Sequence, residues 1–184
     1  MAYAVEIHAG QARKGSSIPY VSHPMAVCSL VLEDGGSEDE AIAALLHDAV
    51  EDGGGQPVLE EIRRRFGEKV AEIVWDCSDT DEVPKPPWLE RKTRHIEHIR
   101  QSGPAARRVA CADKLHNARS ILFDYHVVGE ELWKRFTGTR EQVLWYFRSL
   151  VEAFRETATG PMSEELDRVV SEIEKRAASA GGAK

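Results

Sequence analysis

The chain has 184 residues, of which 42% are hydrophobic, and a formal net charge of −7. This is enough for one compact domain with its own core, and the acidity argues against a nucleic-acid-binding protein, which is more often basic. A small anionic ligand is not excluded, because a local pocket can be basic on an acidic protein. We find no run of about 18 apolar residues that would predict a membrane span. The N-terminal segment also lacks the pattern of a signal peptide.

The cysteines give an indication of the compartment. Cys28, Cys77 and Cys111 are far apart in the sequence and lie in apolar contexts. An odd, scattered set favours reduced, buried thiols over a disulfide framework or a zinc ribbon. We therefore expect a cytoplasmic protein.

Helical patterns dominate the first half of the chain. "SHPMAVCSLVLEDGG" predicts a helix with Ser22 at its N-cap. "SEDEAIAALLHDAVED" predicts one further helix, which begins with the capping-box pair Ser37 and Glu40 and ends at three glycines. "PVLEEIRRRFG" and "EKVAEIVWDCSD" predict two amphipathic helices. Residues 79–87 predict a loop, because three prolines interrupt the helical pattern.

The second half continues in the same way. Four segments predict helices: "WLERKTRHIEHIRQ", "PAARRVACADKLHNARSILFDYHVV", "TREQVLWYFRSLVEAFRETA" and "SEELDRVVSEIEKRAASA". The sequence shows neither strand alternation nor a repeat of fixed period. We therefore expect an all-α fold, with one helical bundle domain over residues 1–180 and a disordered tail at 181–184.

The stretch "LLHDAVED" combines apolar and acidic residues in an unusual way. At about 100° per residue, Asp48, Glu51 and Asp52 share one helix face, which His47 borders. A solvated helix end is the ordinary interpretation of such acids. However, they follow the apolar run "AIAALL" and lie at the predicted C-terminal end of a helix, where the dipole disfavours negative charge. A bound cation would relieve the repulsion, and imidazole with carboxylate suits manganese, iron or zinc.

Further ligands for such an ion would have to come from other segments. His23 in "PYVSHP" is one candidate, although a lone His before proline usually marks only a loop or a helix start. Asp113 is another, because it lies with His116, Asn117 and Ser120 in a narrow polar wedge of an otherwise apolar helix. A buried, unpaired Asp is costly. Either a nearby arginine neutralises it, or it binds a metal.

The segment "HAGQARKGSSIPY" places Arg13 and Lys14 in a short loop between two predicted helices. One interpretation is an ordinary charged surface turn. The other is a clamp for an anion or a base, because arginine can stack flat on an aromatic ring.

Four motifs together resemble a known family. In this order and spacing, "GQARKG", "PYVSHP", "LLHDAVED" and "ADKLHNAR" are similar to the HD-domain hydrolases of the alarmone (p)ppGpp. This family includes the hydrolase half of Rel/Spo-type stringent-response enzymes and the stand-alone hydrolases of the Mesh type. The resemblance runs over about residues 3–121, and the acid pair after "HD" separates alarmone hydrolases from most other HD phosphohydrolases. We expect a hydrolase-only member. The sequence departs from the family directly after "VED", where the family usually has Thr and this chain has three glycines that begin with Gly53.

The resemblance implies removal of pyrophosphate from the ribose 3′ position, giving GDP or GTP. It implies one divalent ion, typically Mn²⁺, held by His23, His47, Asp48 and Asp113. Glu51 and Asp52 would be the catalytic acid pair, and the sequence does not divide the acid and base roles between them.

The resemblance also implies residues that contact the nucleotide. Arg13 would stack on the base, Lys14 and Asn117 would make further contacts, and Tyr146 would contact the ribose. Because the substrate is highly anionic, Arg91 and Lys92 are candidates to hold its distal phosphates. Their alternative interpretation is a solvated helix face.

Other functions stay open at this point. The protein could be a related hydrolase of (p)ppApp or NADPH, a non-catalytic alarmone-binding module or a plain helical structural protein. A binding module need not keep Glu51 and Asp52, and a structural protein leaves the buried acids unexplained. The expected partner is a small nucleotide, with neither nucleic acid nor membrane, and a homo-oligomer is left open.

Overall fold

The structure, a computed structural model, describes residues 1–78 and 86–181. Over these ranges the chain forms ten α-helices and one 3-10 helix, and the only β-structure described is an isolated bridge between Ala12 and Pro19. The prediction of an all-α fold is confirmed. Residues 79–85 of the predicted loop and 182–184 of the predicted tail lie outside the described residues. Gly181 is the last residue of a helix rather than part of a tail.

The helices follow one another with short connections. The first six are α1 (Ala2–Ile7), α2 (Ser22–Glu33), α3 (Glu38–Leu46), α4 (Ala49–Gly53), α5 (Gln56–Phe66) and α6 (Glu68–Cys77). The others are α7 (Trp88–Gln101), α8 (Pro104–Val128), the 3-10 helix (Gly129–Arg135), α9 (Arg140–Thr157) and α10 (Pro161–Gly181). None of these described helices has the length and the apolar character that crossing a membrane would require.

The predicted helix from Ser37 to Asp52 is wrong in its second half. The capping box of Ser37 and Glu40 does open α3, but α3 ends at Leu46. Asp48, at φ −94° and ψ −2°, is the N-cap of a new short helix, α4. Glu51 and Asp52 therefore lie in a first turn, where free N–H groups tolerate negative charge, and the argument from an unfavourable helix dipole does not apply.

Two hydrophobic cores share the long helix α8. The first core is formed by buried residues of α1 to α6 together with Ala106, Val109 and Ala112 of α8. The second is formed by α7, the 3-10 helix, α9 and α10, together with residues of α8 that include Leu115, Ala118 and Ile121. Asp113 lies on α8 between these two sets, so the polar wedge of this helix is held where the two halves of the bundle meet.

Candidate active site

The four predicted metal ligands come together from three parts of the fold. His23 lies in the first turn of α2, His47 and Asp48 lie between α3 and α4, and Asp113 lies on α8. We call these four residues the His/Asp cluster. Donor atoms of His23, His47 and Asp113 all lie within 4.8 Å of one another. Asp48 is not in that tight group, but its Oδ2 lies 2.9 Å from His47 Nε2 and 3.6 Å from His23 Nε2.

Neighbouring groups orient the cluster side chains. Nδ1 of His47 lies 2.8 Å from the carbonyl oxygen of Ala44, which can only accept, so Nδ1 donates and Nε2 is the ring nitrogen that faces the carboxylates. The hydroxyl of Tyr20 donates to Asp48 Oδ2 at 2.5 Å. Metal-binding imidazoles are held in this way in proteins, with the second ring nitrogen bonded to a fixed acceptor.

The charges of the cluster also fit a cation. Burial by itself would raise the pKa of Asp113, but Lys114 and the imidazoles of His23 and His47 hold this pKa well below its ordinary value. Burial would lower the pKa of His47, but Asp48 and Asp113 raise it well above its ordinary value. The two carboxylates are therefore ionised and draw positive charge to the space beside His47 Nε2, where a divalent ion would replace the proton.

Lys114 is the group that neutralises Asp113, where the sequence suggested an arginine. Its Nζ donates to Asp113 Oδ2 at 2.6 Å. The other carboxylate oxygen, Oδ1, lies 3.1 Å from His23 Nε2 and 3.8 Å from His47 Nε2. Asp113 therefore turns Oδ1 towards the two imidazoles, while Oδ2 is paired with the half-buried ammonium group of Lys114.

The predicted catalytic acids lie beside the cluster on α4. Glu51 is half-buried, and Asp52 is exposed. Asp52 Oδ2 lies 3.7 Å from Nδ1 of His8, a buried residue that follows α1 and bonds to Gln11 at 2.8 Å. These acids are more accessible than Asp113, which suits groups that exchange protons with water.

A cavity of about 660 Å³ adjoins the cluster. All six predicted nucleotide-contacting residues line it: Arg13, Lys14, Arg91, Lys92, Asn117 and Tyr146. Three residues of its wall are hydrogen-bonded to the cluster, since Tyr20 binds Asp48, His116 binds His23 and Asn117 binds Asp113. The cavity and the cluster therefore form one continuous site.

Arg13 is fixed between the cavity and the cluster. Its Nη2 donates to Asn117 Oδ1 at 2.7 Å, and the amide of Asn117 donates to Asp113 Oδ1. The guanidinium carbon lies 5.7 Å from the ring centre of Tyr20. The next residues turn at Gly15, where φ is +73° and a Cβ would collide with the side chain of Arg135. Glycine is thus required here, and the loop presents Arg13 in a defined position.

Most of the charged side chains that line this cavity are basic. Seven basic side chains line it: Arg13, Lys14, Arg91, Lys92, Lys114, Arg119 and Arg135. Among the described lining residues the only carboxylate is Asp124, which pairs with Arg135 at 2.7 Å. A positive cavity on a chain of net charge −7 is suited to a polyanionic ligand.

Several lining residues were not singled out by sequence reasoning. Tyr20 lies within the motif "PYVSHP" and Lys114 within "ADKLHNAR", so the motifs could have indicated both residues. His116 belongs to the polar wedge. Burial, together with the neighbouring His23 and Arg13, lowers the pKa of His116 to about 4. Trp88, Arg135 and Phe136 line the far wall and stand outside every motif, and only the folded chain brings them there.

Comparisons with known proteins identify a family match that contains the cluster residues. The HD domain family model matches residues 1–134, which contain the whole cluster and end before Tyr146. The guanosine-3′,5′-bis(diphosphate) 3′-pyrophosphohydrolase MESH1 of Xenopus tropicalis is 39% identical over 122 residues, a match that spans 65% of each chain. The Mus musculus protein of the same name is 37% identical over 165 residues, which is 82% of this chain and 89% of that one. The solved structure of a metazoan orthologue of SpoT, described as hydrolysing ppGpp, has a TM-score of 0.75 at 28% identity and covers 94% of this chain and 92% of its own.

Proposed function

The chain belongs to the HD domain family, and from this membership we propose that it hydrolyses the 3′-pyrophosphate of (p)ppGpp to give GDP or GTP and pyrophosphate. The observation that carries the proposal is the continuity of the His/Asp cluster with a cation-lined cavity. A hydrolase of such a highly phosphorylated nucleotide needs both the cluster and the cavity. The cluster would hold the ion that activates water, and the basic residues of the cavity would neutralise the phosphates.

We propose that the cluster residues His23, His47, Asp48 and Asp113 hold one divalent ion, and that this ion is Mn²⁺. Two neutral imidazoles and two carboxylates bring a net ligand charge of −2, which balances such an ion. When bound, the ion supplies Lewis-acid activation of water and of a phosphoryl oxygen. The fixed Nδ1 of His47 and the pairing of Asp113 with Lys114 support this assignment.

Glu51 and Asp52 perform the proton transfers in this proposal. Water adds to the phosphorus bonded to the 3′ oxygen, and the bond between that phosphorus and the 3′ oxygen breaks. One carboxylate accepts the proton of the attacking water, and the other group of the pair donates a proton to the leaving 3′ oxygen. Their position in the first turn of α4, whose N-cap is the cluster residue Asp48, supports the assignment.

The cavity holds the nucleotide in this proposal. Arg13 stacks on the base, and its bond to Asn117 keeps the guanidinium plane in place. Arg91 and Lys92 meet the distal phosphates, Lys14 makes a further contact with the nucleotide, and Tyr146 contacts the ribose. Both lysines lie over aromatic rings, Lys14 at 5.7 Å from the ring centre of Phe136 and Lys92 at 5.1 Å from that of Tyr146, and these contacts position their ammonium groups.

A cytoplasmic location is part of the same proposal. All three cysteines are free, as a reducing compartment requires. Only Cys111 is buried, where burial raises its pKa to about 12, whereas Cys28 and Cys77 are half-buried. The expectation that all three are buried was therefore too strong.

A substrate panel tests the proposed function. Purified protein with Mn²⁺ is incubated separately with ppGpp, pppGpp, ppApp and NADPH, and released pyrophosphate and phosphate are measured. We expect pyrophosphate from the guanosine compounds at the highest kcat/KM. Phosphate release from NADPH alone would instead identify a phosphatase, and tight ppGpp binding without any product would identify a sensor.

A further inference from the structure

The two ring nitrogens of His23 have different surroundings. Nε2 faces the cluster, 3.1 Å from Asp113 Oδ1. Nδ1 faces the other way and lies 2.7 Å from Nδ1 of His116, with the two ring centres 4.8 Å apart and the planes at 41°. His23 is buried, whereas His116 is half-buried and lines the cavity.

Two nitrogens at this distance share one proton, so one of them donates and the other accepts. If His116 donates, neutral His23 carries its own proton on Nε2, which then points at Asp113 and cannot bind a cation. If His23 donates, its proton is on Nδ1 and the lone pair of Nε2 is free. Only the second arrangement makes His23 a metal ligand.

We propose that His116 is a positioning residue that selects the metal-binding tautomer of His23 by accepting a hydrogen bond at Nδ1. This inference rests on the metal set of the proposed function. The carbonyl of Ala44 does the same for His47, and it can only accept. His116 differs because Nδ1 of an imidazole can either donate or accept, depending on the tautomer. The proton of His116 must therefore reside on its Nε2 for His23 to bind metal.

The position of His116 gives this role a second consequence. The same side chain that orients a metal ligand forms part of the wall against which the nucleotide lies. Its neighbour one position on, Asn117, connects Arg13 to Asp113. Residues 116 and 117 therefore place two adjacent side chains of α8 between the cluster and the cavity.

The test is Mn²⁺ affinity, measured by calorimetric titration of chelator-stripped protein without nucleotide. His116→Asn places an amide oxygen close to the position of the lost Nδ1 and keeps an acceptor, whereas His116→Leu removes it. We expect Leu to weaken Mn²⁺ binding roughly 10- to 100-fold and Asn to restore most of the loss. His126→Leu is the matched control, since His126 is exposed on the same helix, and it should bind Mn²⁺ normally.

Two results would overturn the inference: wild-type affinity in His116→Leu, or equal weakening in the Asn and Leu variants. If the Leu variant does not give a helical circular dichroism spectrum, His116→Gln replaces it, because its amide lies nearer the position of Nε2. Equal affinity of the Gln and Asn variants then contradicts the role. Wild-type protein that binds Mn²⁺ but leaves ppGpp intact contradicts the proposed function and leaves this inference standing.

Discussion

At the scale of single residues, His23, His47 and Asp113 each turn one polar atom to the cluster and another to a neighbouring group. Asp113 turns one oxygen to the imidazoles and the other to Lys114. His47 turns Nε2 to the carboxylates and Nδ1 to the backbone of α3. Because these second contacts fix rotamer and charge in advance, little reorganisation is needed when a cation binds.

The first prediction at this scale separates proton transfer from metal binding. Glu51→Gln and Asp52→Asn keep shape and hydrogen bonding but remove the proton-transferring group. Each should retain bound metal and ppGpp affinity yet lose kcat by roughly 10²- to 10⁴-fold. Metal is measured by elemental analysis and affinity by calorimetry.

The control for this pair is Glu38→Gln, an exposed acid at the start of α3, which should leave kcat unchanged. Loss of metal from both test variants would mean that the acids are ligands. Near-normal turnover in both would place the catalytic groups elsewhere.

The second prediction concerns Arg13. Arg13→Ala should raise KM by about 5- to 30-fold, equivalent to about 1–2 kcal/mol, because stacking on the base is lost from ground and transition states alike. Arg13→Lys keeps the charge but not the planar group, so it should raise KM nearly as much. Steady-state kinetics measures both, and a lower kcat at unchanged KM would assign Arg13 a different role.

At the scale of helices, sequence signals mark some boundaries and miss others. The bounds of α8 are predictable because Pro104 opens the helix and Gly129 closes it. The break between α3 and α4 is not, since His47 and Asp48 both keep right-handed helical angles and the apolar pattern continues through them. The four cluster residues could be singled out from motifs, and the structure brings them together. The far cavity wall depends on tertiary packing of α7 and the 3-10 helix and could not be predicted in this way.

The prediction at this scale concerns Glu40, which links α3 to α8. Burial alone would raise the pKa of Glu40, but hydrogen bonds from Ser37 and the ion pair with Arg108 lower it overall. A folded-state pKa below the unfolded one stabilises the fold above the unfolded pKa, and this stability is lost as pH falls through the folded pKa.

Glu40→Gln retains a capping side chain but removes the charge that faces Arg108. We expect it to lower the free energy of unfolding by about 1–3 kcal/mol at pH 7, with the difference from wild type shrinking as pH falls below about 4.5. Denaturant unfolding across this pH range measures it, and Glu38→Gln, exposed in the same turn, is the control. A difference that does not change with pH would contradict the assigned ion pair.

At the scale of the whole molecule, two cores meet along α8 and the site lies at their junction. The N-terminal half supplies three of the four cluster residues, and α8 supplies the fourth together with Lys114, His116 and Asn117. The second core contributes the aromatic and basic far wall through α7, the 3-10 helix and α9. On a chain of net charge −7, the basic side chains of this cavity would attract the polyanionic nucleotide of the proposed function to the junction.

In the proposed function, the cluster and the cavity together perform metal-dependent hydrolysis at the 3′ position. The most direct measurement incubates chelator-stripped protein with ppGpp, with and without added Mn²⁺, and resolves the products by anion-exchange chromatography. We expect equimolar GDP and pyrophosphate in the presence of Mn²⁺ and intact ppGpp in its absence. Full turnover by the stripped protein, or no turnover after Mn²⁺ is bound, would contradict it.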